Sequence, residues 1–379
     1  MSGAAPAGLA ADPAAIEREL NDLWRAEVET LKRVGGDQNA LASETSLARV
    51  LLLTLAVFAP DPRHANQARE VAIAINPRQP GRAIIMEVLP GNGSANQGVE
   101  AWVTLHCSRL SGGAQQVCGE QITLEAHPDE VRSLPGAVLP LLLTNVPSFL
   151  WWQSGNPFAH PILKELAPAI DRLIVDSYTF ADPERDLAVV AGAVADPHFH
   201  AIISDLSWAR LGAWRYQTAQ IFDAPALRPY LNRLQRVTVS YCAGTPALAW
   251  LFAGWLASRL GWRPVRREAG AGGETLHFAA GQTIHLEATP PLETGMGGYF
   301  AGVSLVADDG ATFQVNRSGA DCTVARVMAG AFVSERVLPL PEETLVQWVG
   351  HELGKIAPTP IYEAAVRLLA EAFSLGAKP

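Results

Sequence analysis

Two spacings of apolar residues alternate along this chain, and the points where one gives way to the other outline its organisation. Near the start, Ile16, Leu20, Leu23, Trp24 and Leu31 recur every three to four residues or a multiple of that, which predicts a helix from Pro13 to about Val34. Asp12 is placed to cap it, Pro13 suits its first turn, and Gly35-Gly36 supplies a stop. Residues 49–58 and 82–89 are near-continuous apolar runs, the pattern of strands buried on both faces, with a helix ending near Ile75 between them. Residues 98–107 and 116–125 alternate loosely around Ser111-Gly112-Gly113 and predict an antiparallel hairpin. Residues 130–143 read as a proline-broken helix. Strands follow at 147–152, 172–176 and 237–241, interleaved with helices at 162–167, 184–194, 208–222 and 245–260. Such alternation predicts a partly parallel sheet.

After Pro264 the texture changes. Residues 266–274 are polar, glycine-rich and linker-like, and the runs 275–279, 283–288, 299–307, 312–316 and 322–328 alternate as an antiparallel meander. Helices near 342–353 and 360–374 close the chain. The expectation is a mixed α/β (α+β) protein in three parts. Residues 1–145 form an N-terminal α/β domain, 146–265 a central α/β domain, and 266–379 a β-rich domain with a helical tail.

Composition narrows the function. With 49% apolar and 18% charged residues, a large core is within reach. A net charge of -9 argues against general binding to nucleic acid or to an anionic membrane, because both need a cationic footprint. Residues 134–152 are apolar but interrupted by Pro135, Pro140 and Pro147, and the run 247–257 is short against the roughly 20 residues of a membrane span. The first residues lack a basic stretch followed by an apolar core. A cytoplasmic protein is expected. Cys107, Cys118, Cys242 and Cys322 form no C-x-x-C pair.

Motifs for phosphate loops, dinucleotide fingerprints, nucleophile elbows and zinc helices are missing, so no cofactor is expected. His198-Phe199-His200 could present two imidazoles but has no evident third ligand. Asp171, Asp176 and Asp205 fall at element ends, where caps and catalytic carboxylates both occur. Ten tryptophans stand out. Trp151 and Trp152 are adjacent, so on a strand they face opposite ways, one inward and the other onto the opposite surface. Trp208, Arg210, Trp214 and Arg215 share helical spacing, with a Trp214–Arg210 stack in reach. These residues either fill a core or form an interface, since tryptophan and arginine dominate binding hot spots. Seven arginines, at 228, 233, 236, 259, 263, 266 and 267, occur without an intervening acid, a cationic surface for an acidic partner or a phosphate. Arg259 and Arg263 also complement a helix C-terminus. Cys107 and Cys118 flank the hairpin loop, as a reducible pair or as two buried thiols.

Several blocks resemble one family in order. They are Pro147-Ser148-Phe149-Leu150-Trp151-Trp152, Asp171-Arg172-Leu173-Ile174-Val175-Asp176-Ser177, Asp205-Leu206-Ser207-Trp208-Ala209-Arg210-Leu211 with Trp214-Arg215, Phe222-Asp223-Ala224-Pro225, and 254–262. This set is similar to the glucose-6-phosphate dehydrogenase assembly protein OpcA family, above all its cyanobacterial type. Gln79-Pro80-Gly81-Arg82 departs from the family's His-Pro-Ser-Arg. The resemblance implies a non-catalytic protein that binds glucose-6-phosphate dehydrogenase, promotes its active oligomer and favours NADPH production. It also implies a link to thioredoxin-dependent redox control. Trp151, Trp152, Asp205, Trp208, Arg210, Trp214, Arg215 and Arg259 would then build or buttress the partner surface. Two other readings stay open: an enzyme or sensor binding a sugar phosphate at the arginines, and a thiol sensor built on Cys107 and Cys118.

Overall fold

Runs of apolar residues without alternation become central strands here, and alternating runs become strands with one open face. The computed structural model describes residues 9–34, 49–91, 98–109, 116–270, 272–290 and 300–378. The expected helix stop Gly35-Gly36 and hairpin loop Ser111-Gly112-Gly113 lie outside those residues. The chain folds as two compact units, one of Met1–Val175, His200–Ile202 and Leu345–Ile356, the other of Asp176–Phe199, Ile203–Thr344 and Ala357–Pro379.

The first sheet contains β1 (Leu9–Ala10), β2 (Thr54–Ala59), β3 (Arg82–Val88), β4 (Glu100–Arg109), β5 (Gln116–Ala126), β6 (Ser148–Trp152), β7 (Arg172–Val175) and β8 (Ile202–Asp205). Their order is β1-β4-β5-β3-β2-β6-β7-β8. The pairs β5–β3, β3–β2, β2–β6 and β6–β7 are parallel, while β4–β5 and β1–β4 are antiparallel. Every residue of β2 and β6 is buried, as their unbroken apolar sequences require. Asp61 caps the helix Pro62–Ile75 by accepting from the N–H groups of Arg63 and His64, with Pro62 in the first turn.

The second unit carries β9 (Leu234–Cys242), β10 (Pro264–Gly270), β11 (Gly273–Phe278), β12 (Thr283–Thr289), β13 (Phe300–Ala307), β14 (Thr312–Arg317), β15 (Cys322–Ala329), β16 (Phe332–Pro339) and β17 (Ala377–Lys378). They run in the order β16-β15-β14-β13-β9-β12-β11-β10-β17. Alternation sends Val303, Leu305, Phe313, Val315, Ala325 and Val327 to a buried face, with Ser304, Gln314 and Arg326 on the other. On the buried face Phe300 meets Phe252 and Trp214, and Phe313 meets Phe222. The helix Pro246–Leu260 is buried without interruption from Ala247 to Ala257 and ends on Gly261, whose φ of 68° a side-chain-bearing residue would resist. Gly254 lets the helix Pro360–Ser374 approach it: a Cβ there would lie 2.8 Å from both the Ala365 carbonyl oxygen and Leu369.

The mixed α/β class matches the expectation, but the partition differs from the three parts read from sequence. Residues 148–152 share a sheet with the N-terminal segment, and β9 lies among the C-terminal strands, parallel to β12. The stretch read as a linker is the antiparallel pair β10–β11. Its misleading polarity belongs partly to Arg267, which is buried while its guanidinium pairs with Glu184 and Glu274 and lies over Trp250. The helix expected over 208–222 is two helices, Leu206–Arg210 and Gly212–Ile221.

Candidate functional site

Two aspartates at strand ends organise a polar interior in the second unit. Asp205, the last residue of β8, begins the helix Leu206–Arg210 as its cap, accepting from Ser207 N at 2.9 Å. The same oxygen accepts from Ser177 N at 3.1 Å, and the other faces the Tyr362 hydroxyl at 3.4 Å. Asp176 receives Arg210 in fork fashion at 2.5 and 2.7 Å, the Ser207 hydroxyl at 3.0 Å and Tyr178 N at 3.2 Å. Planar guanidinium and carboxylate groups match in this geometry, which makes it a strong charge-assisted pair.

The two carboxyls differ sharply in surroundings. Arg210 turns its terminal nitrogens to Asp176, while Asp205 meets the N–H groups of Ser177 and Ser207 and the Tyr362 hydroxyl. Burial, then repulsion from Asp176, push the Asp205 carboxyl up to about 6, while the bonds from Ser177 and Ser207 hold it back. A carboxyl that titrates near neutrality is one mark of acid–base sites. Here, however, Asp205 is only 2% exposed, and its oxygens face groups belonging to the protein's own chain. The arrangement suits a lock between chain segments better than a substrate site.

The structure places the other expected residues mostly in the core. Trp151 and Trp152 are both buried, which corrects the expectation that one of them faces outward: β6 is an internal strand with both faces covered. Trp152 stacks on Phe58 at 4.0 Å and meets the His160 ring edge-on at 4.9 Å. Trp208 is buried against Tyr362, and Trp214 against Phe300. The expected Trp214–Arg210 stack is not what forms. Arg215 lies over Trp208 at 3.6 Å and donates to the Trp208 carbonyl at 2.7 Å, whereas Arg210 is taken by Asp176. The break at Leu211 between the two helices removes the spacing on which that stack depended. Arg259 stands apart, exposed in the last turn of the helix Pro246–Leu260.

The arginine surface is also thinner than its sequence suggested. Arg233 pairs with Asp308 and Asp309, Arg266 with Glu268, and Arg267 with Glu184 and Glu274, acids the fold brings from outside the arginine-rich segment or from its edge. His198 and His200 are exposed, and no cluster of three metal-ligating side chains occurs among the described residues. Cys107 and Cys118 stand directly opposite on β4 and β5 and are joined as a disulfide, with Cα atoms 4.0 Å apart.

Sequence reading missed a second polar interior, in the first unit. Glu120 accepts from Arg82 Nε at 2.7 Å, Arg49 Nε at 2.6 Å and Trp24 Nε1 at 2.8 Å. Arg82 also reaches Glu17 at 2.5 Å and the Leu141 carbonyl at 2.9 Å. The only signal in the sequence was one charge opening or entering an apolar run. Arg172 is a third such case, donating to the Lys355 carbonyl at 2.9 Å.

Residues 72–192 match the glucose-6-phosphate dehydrogenase subunit N-terminal domain, and residues 201–366 match the C-terminal domain of the same subunit. The OxPP cycle protein OpcA of Nostoc punctiforme is 35% identical over 225 residues, which is 58% of this chain and 46% of the relative. Its namesake from Synechocystis is 33% identical over 171 residues, 45% of this chain and 35% of the relative. The chain thus matches less than half the length of these relatives. Among solved structures, an oxidoreductase from Parabacteroides merdae aligns with a TM-score of 0.49 at 8% identity, over 86% of this chain and 97% of the other. Glucose-6-phosphate 1-dehydrogenase from Mycobacterium avium aligns at 0.46 and 10% identity, over 83% and 90%. Likenesses this distant say nothing about activity.

Proposed function

Because the chain belongs to the OpcA family of glucose-6-phosphate dehydrogenase assembly proteins, we propose that it is a non-catalytic activator of that dehydrogenase. It would act in the cytoplasm, bind the enzyme and favour its active oligomer, raising NADPH output from the oxidative pentose phosphate pathway. The observation that carries this reading is the match of both segments to the two domains of a dehydrogenase subunit. The strand-end aspartates support it, because the protein's own groups already occupy their oxygens. Activation by binding requires tighter association with the active assembly than with the inactive one.

The buried tryptophans then act as buttresses, and docking falls to side chains that face out. On β15 and β16 the cross-strand pairs Met328–Val333 and Val324–Val337 flank an Arg326–Glu335 ion pair at 2.7 Å. Val333 is 75% exposed and Val337 68%, an apolar strip on an edge strand. We assign the dehydrogenase to this strip. The test is dehydrogenase kinetics and oligomer size with the wild-type protein and with a Val333→Glu, Val337→Glu double variant. Activation should be present in the first and lost in the second. A dehydrogenase whose kinetics and oligomer ignore the wild-type protein would refute the activator reading. Activation that survives in the double variant would refute only the assigned strip.

The disulfide favours one addition to this reading. Thiol–disulfide exchange with a thioredoxin dithiol would reduce Cys107–Cys118 to two thiols while the thioredoxin pair becomes a disulfide. Activation assayed before and after such reduction measures whether this exchange regulates binding.

A further inference from the structure

Among the described residues four strands end the two sheets, and one of them is long. β1 and β17 have two residues each and β8 has four, whereas β16 runs for eight. Shortness blunts the first three edges. β16 pairs with β15 in a regular register from Phe332 to Pro339, with no bulge. Lysine and a mid-strand proline, which commonly protect an edge, are both absent from it.

One bond fixes where its backbone groups point. Leu340 N donates to the Asp321 carbonyl at 2.6 Å, and these two residues continue the β15–β16 register. Hydrogen-bonded pairs alternate along an antiparallel ladder, so Phe332, Ser334, Arg336 and Leu338 turn their N–H and C=O groups to β15. Val333, Glu335 and Val337 turn theirs to the open side, one set roughly every 7 Å. Beyond them the edge is closed, where Gln217 Nε2 donates to the Pro339 carbonyl at 2.8 Å.

The side chains give a second, independent observation. The face of β16 that carries Ser334 and Arg336 borders a cavity of about 240 Å³ beside the helix Gly212–Ile221, with Phe332, Leu338, Ile221 and Leu227 on its walls. An apolar cavity of roughly 150 Å³ takes a benzene ring. A residue opposite Ser334 on an added strand would stand about 5 Å from it, at this cavity. On the other face Glu335 accepts from Arg326 Nε through Oε2, while Oε1 has no partner among the described residues. A second copy of the chain fits this edge poorly, since pairing β16 with itself over its whole length sets one Glu335 directly against the other. A basic residue at that point is favourable instead.

We propose that the open edge of β16 takes an extended segment of the dehydrogenase as a tenth strand of the sheet. The segment carries a lysine or arginine beside Glu335, apolar residues over Val333 and Val337, and an apolar or aromatic side chain in the cavity next to Ser334. This docking rests on the activator reading and adds to it a backbone ladder and the chemistry of the segment.

The experiment is residue-resolved deuterium exchange of the full chain, alone and with glucose-6-phosphate dehydrogenase, beside binding measured for Glu335→Pro and Glu335→Ala. In the protein alone the amides of Val333, Glu335 and Val337 should exchange fast, and those of Ser334 and Arg336 slowly. With the dehydrogenase the first three should slow by about tenfold or more. Glu335→Pro removes one open N–H at an edge position that tolerates proline, and should bind about tenfold more weakly than Glu335→Ala. Should the proline variant fail to fold, exchange in the wild type decides by itself. A complex whose three amides exchange as fast as before, or equal binding by the two variants, would overturn the proposal and leave the activator reading standing. Failure of the wild-type proteins to associate would overturn both. Slow exchange of the three amides in the protein alone, with twice the monomer mass in sedimentation, would give the edge to a second copy and overturn the proposal as well.

Discussion

Two polar interiors in this molecule solve the same problem unequally. In the first unit, Glu17 and Glu120 face Arg49 and Arg82, two charges of each sign. In the second, Asp176 and Asp205 share the neighbourhood of one arginine, and Arg210 gives both its terminal nitrogens to Asp176. In the first cluster each charge has a counter-charge within 3.6 Å. The unbalanced one stores its imbalance in Asp205, which holds its proton to about pH 6. Burial alone therefore does not make a titrating group; burial with a deficit of opposite charge does.

Removing a member of the balanced cluster should produce the largest effect. Glu120→Ala takes from buried Arg82 its fully buried carboxylate, leaves Arg49 and Arg82 to share Glu17, unpairs the Trp24 indole, and should cost about 3–5 kcal/mol in urea unfolding. A loss below about 1 kcal/mol would show that water reaches the cluster and would dissolve the contrast.

The unbalanced cluster should show itself through pH. The folded carboxyl of Asp205 is raised from 3.8 to about 6, so the folded state binds its proton more tightly than the unfolded chain does. Its contribution is favourable below pH 4, declines as pH rises through 4 to 6, and is lost above, roughly 3 kcal/mol in all. Asp205→Asn, which keeps an acceptor for Ser177 and Ser207, should abolish that decline. The comparison is urea unfolding of both proteins from about pH 3.5 to 7, across the window between the two pKa values. Parallel pH profiles would mean that Asp205 is as well compensated as Glu120.

Reducing the Cys107–Cys118 bond should come next, at about 2–3 kcal/mol for a sequence separation of 11, read as a lower midpoint in reductant. Arg215→Ala gives the smallest change, about 1–2 kcal/mol from the lost stack on Trp208 and the lost bond to its carbonyl. No change at all would place Arg215 outside the buttress.

The sequence announced the strands of the first sheet because runs such as Thr54–Ala59 and Ser148–Trp152 need no partner information to be read as buried. The β10–β11 pair was hidden because Arg267 looks like a surface residue until Glu184, far away in the chain, is beside it. The candidate residues were legible as a set but not in their roles. Asp205 and Arg210 were visible as strand-end and helix residues, yet nothing local told which aspartate would receive the guanidinium. Ser207 and Tyr362 escaped entirely, being ordinary residues that matter only through what lies opposite them.

The close fit at Gly254 has a consequence during synthesis. The helix Pro246–Leu260 is apolar on every side, and one of its covers, the helix Pro360–Ser374, is translated about a hundred residues later. At roughly 5–20 residues per second the ribosome leaves that groove bare for about 5–20 seconds, long enough for nascent chains to stick to one another. Slowed elongation between these two segments, or loss of a chaperone that shields greasy surfaces, should therefore reduce yield of this protein without altering the finished molecule.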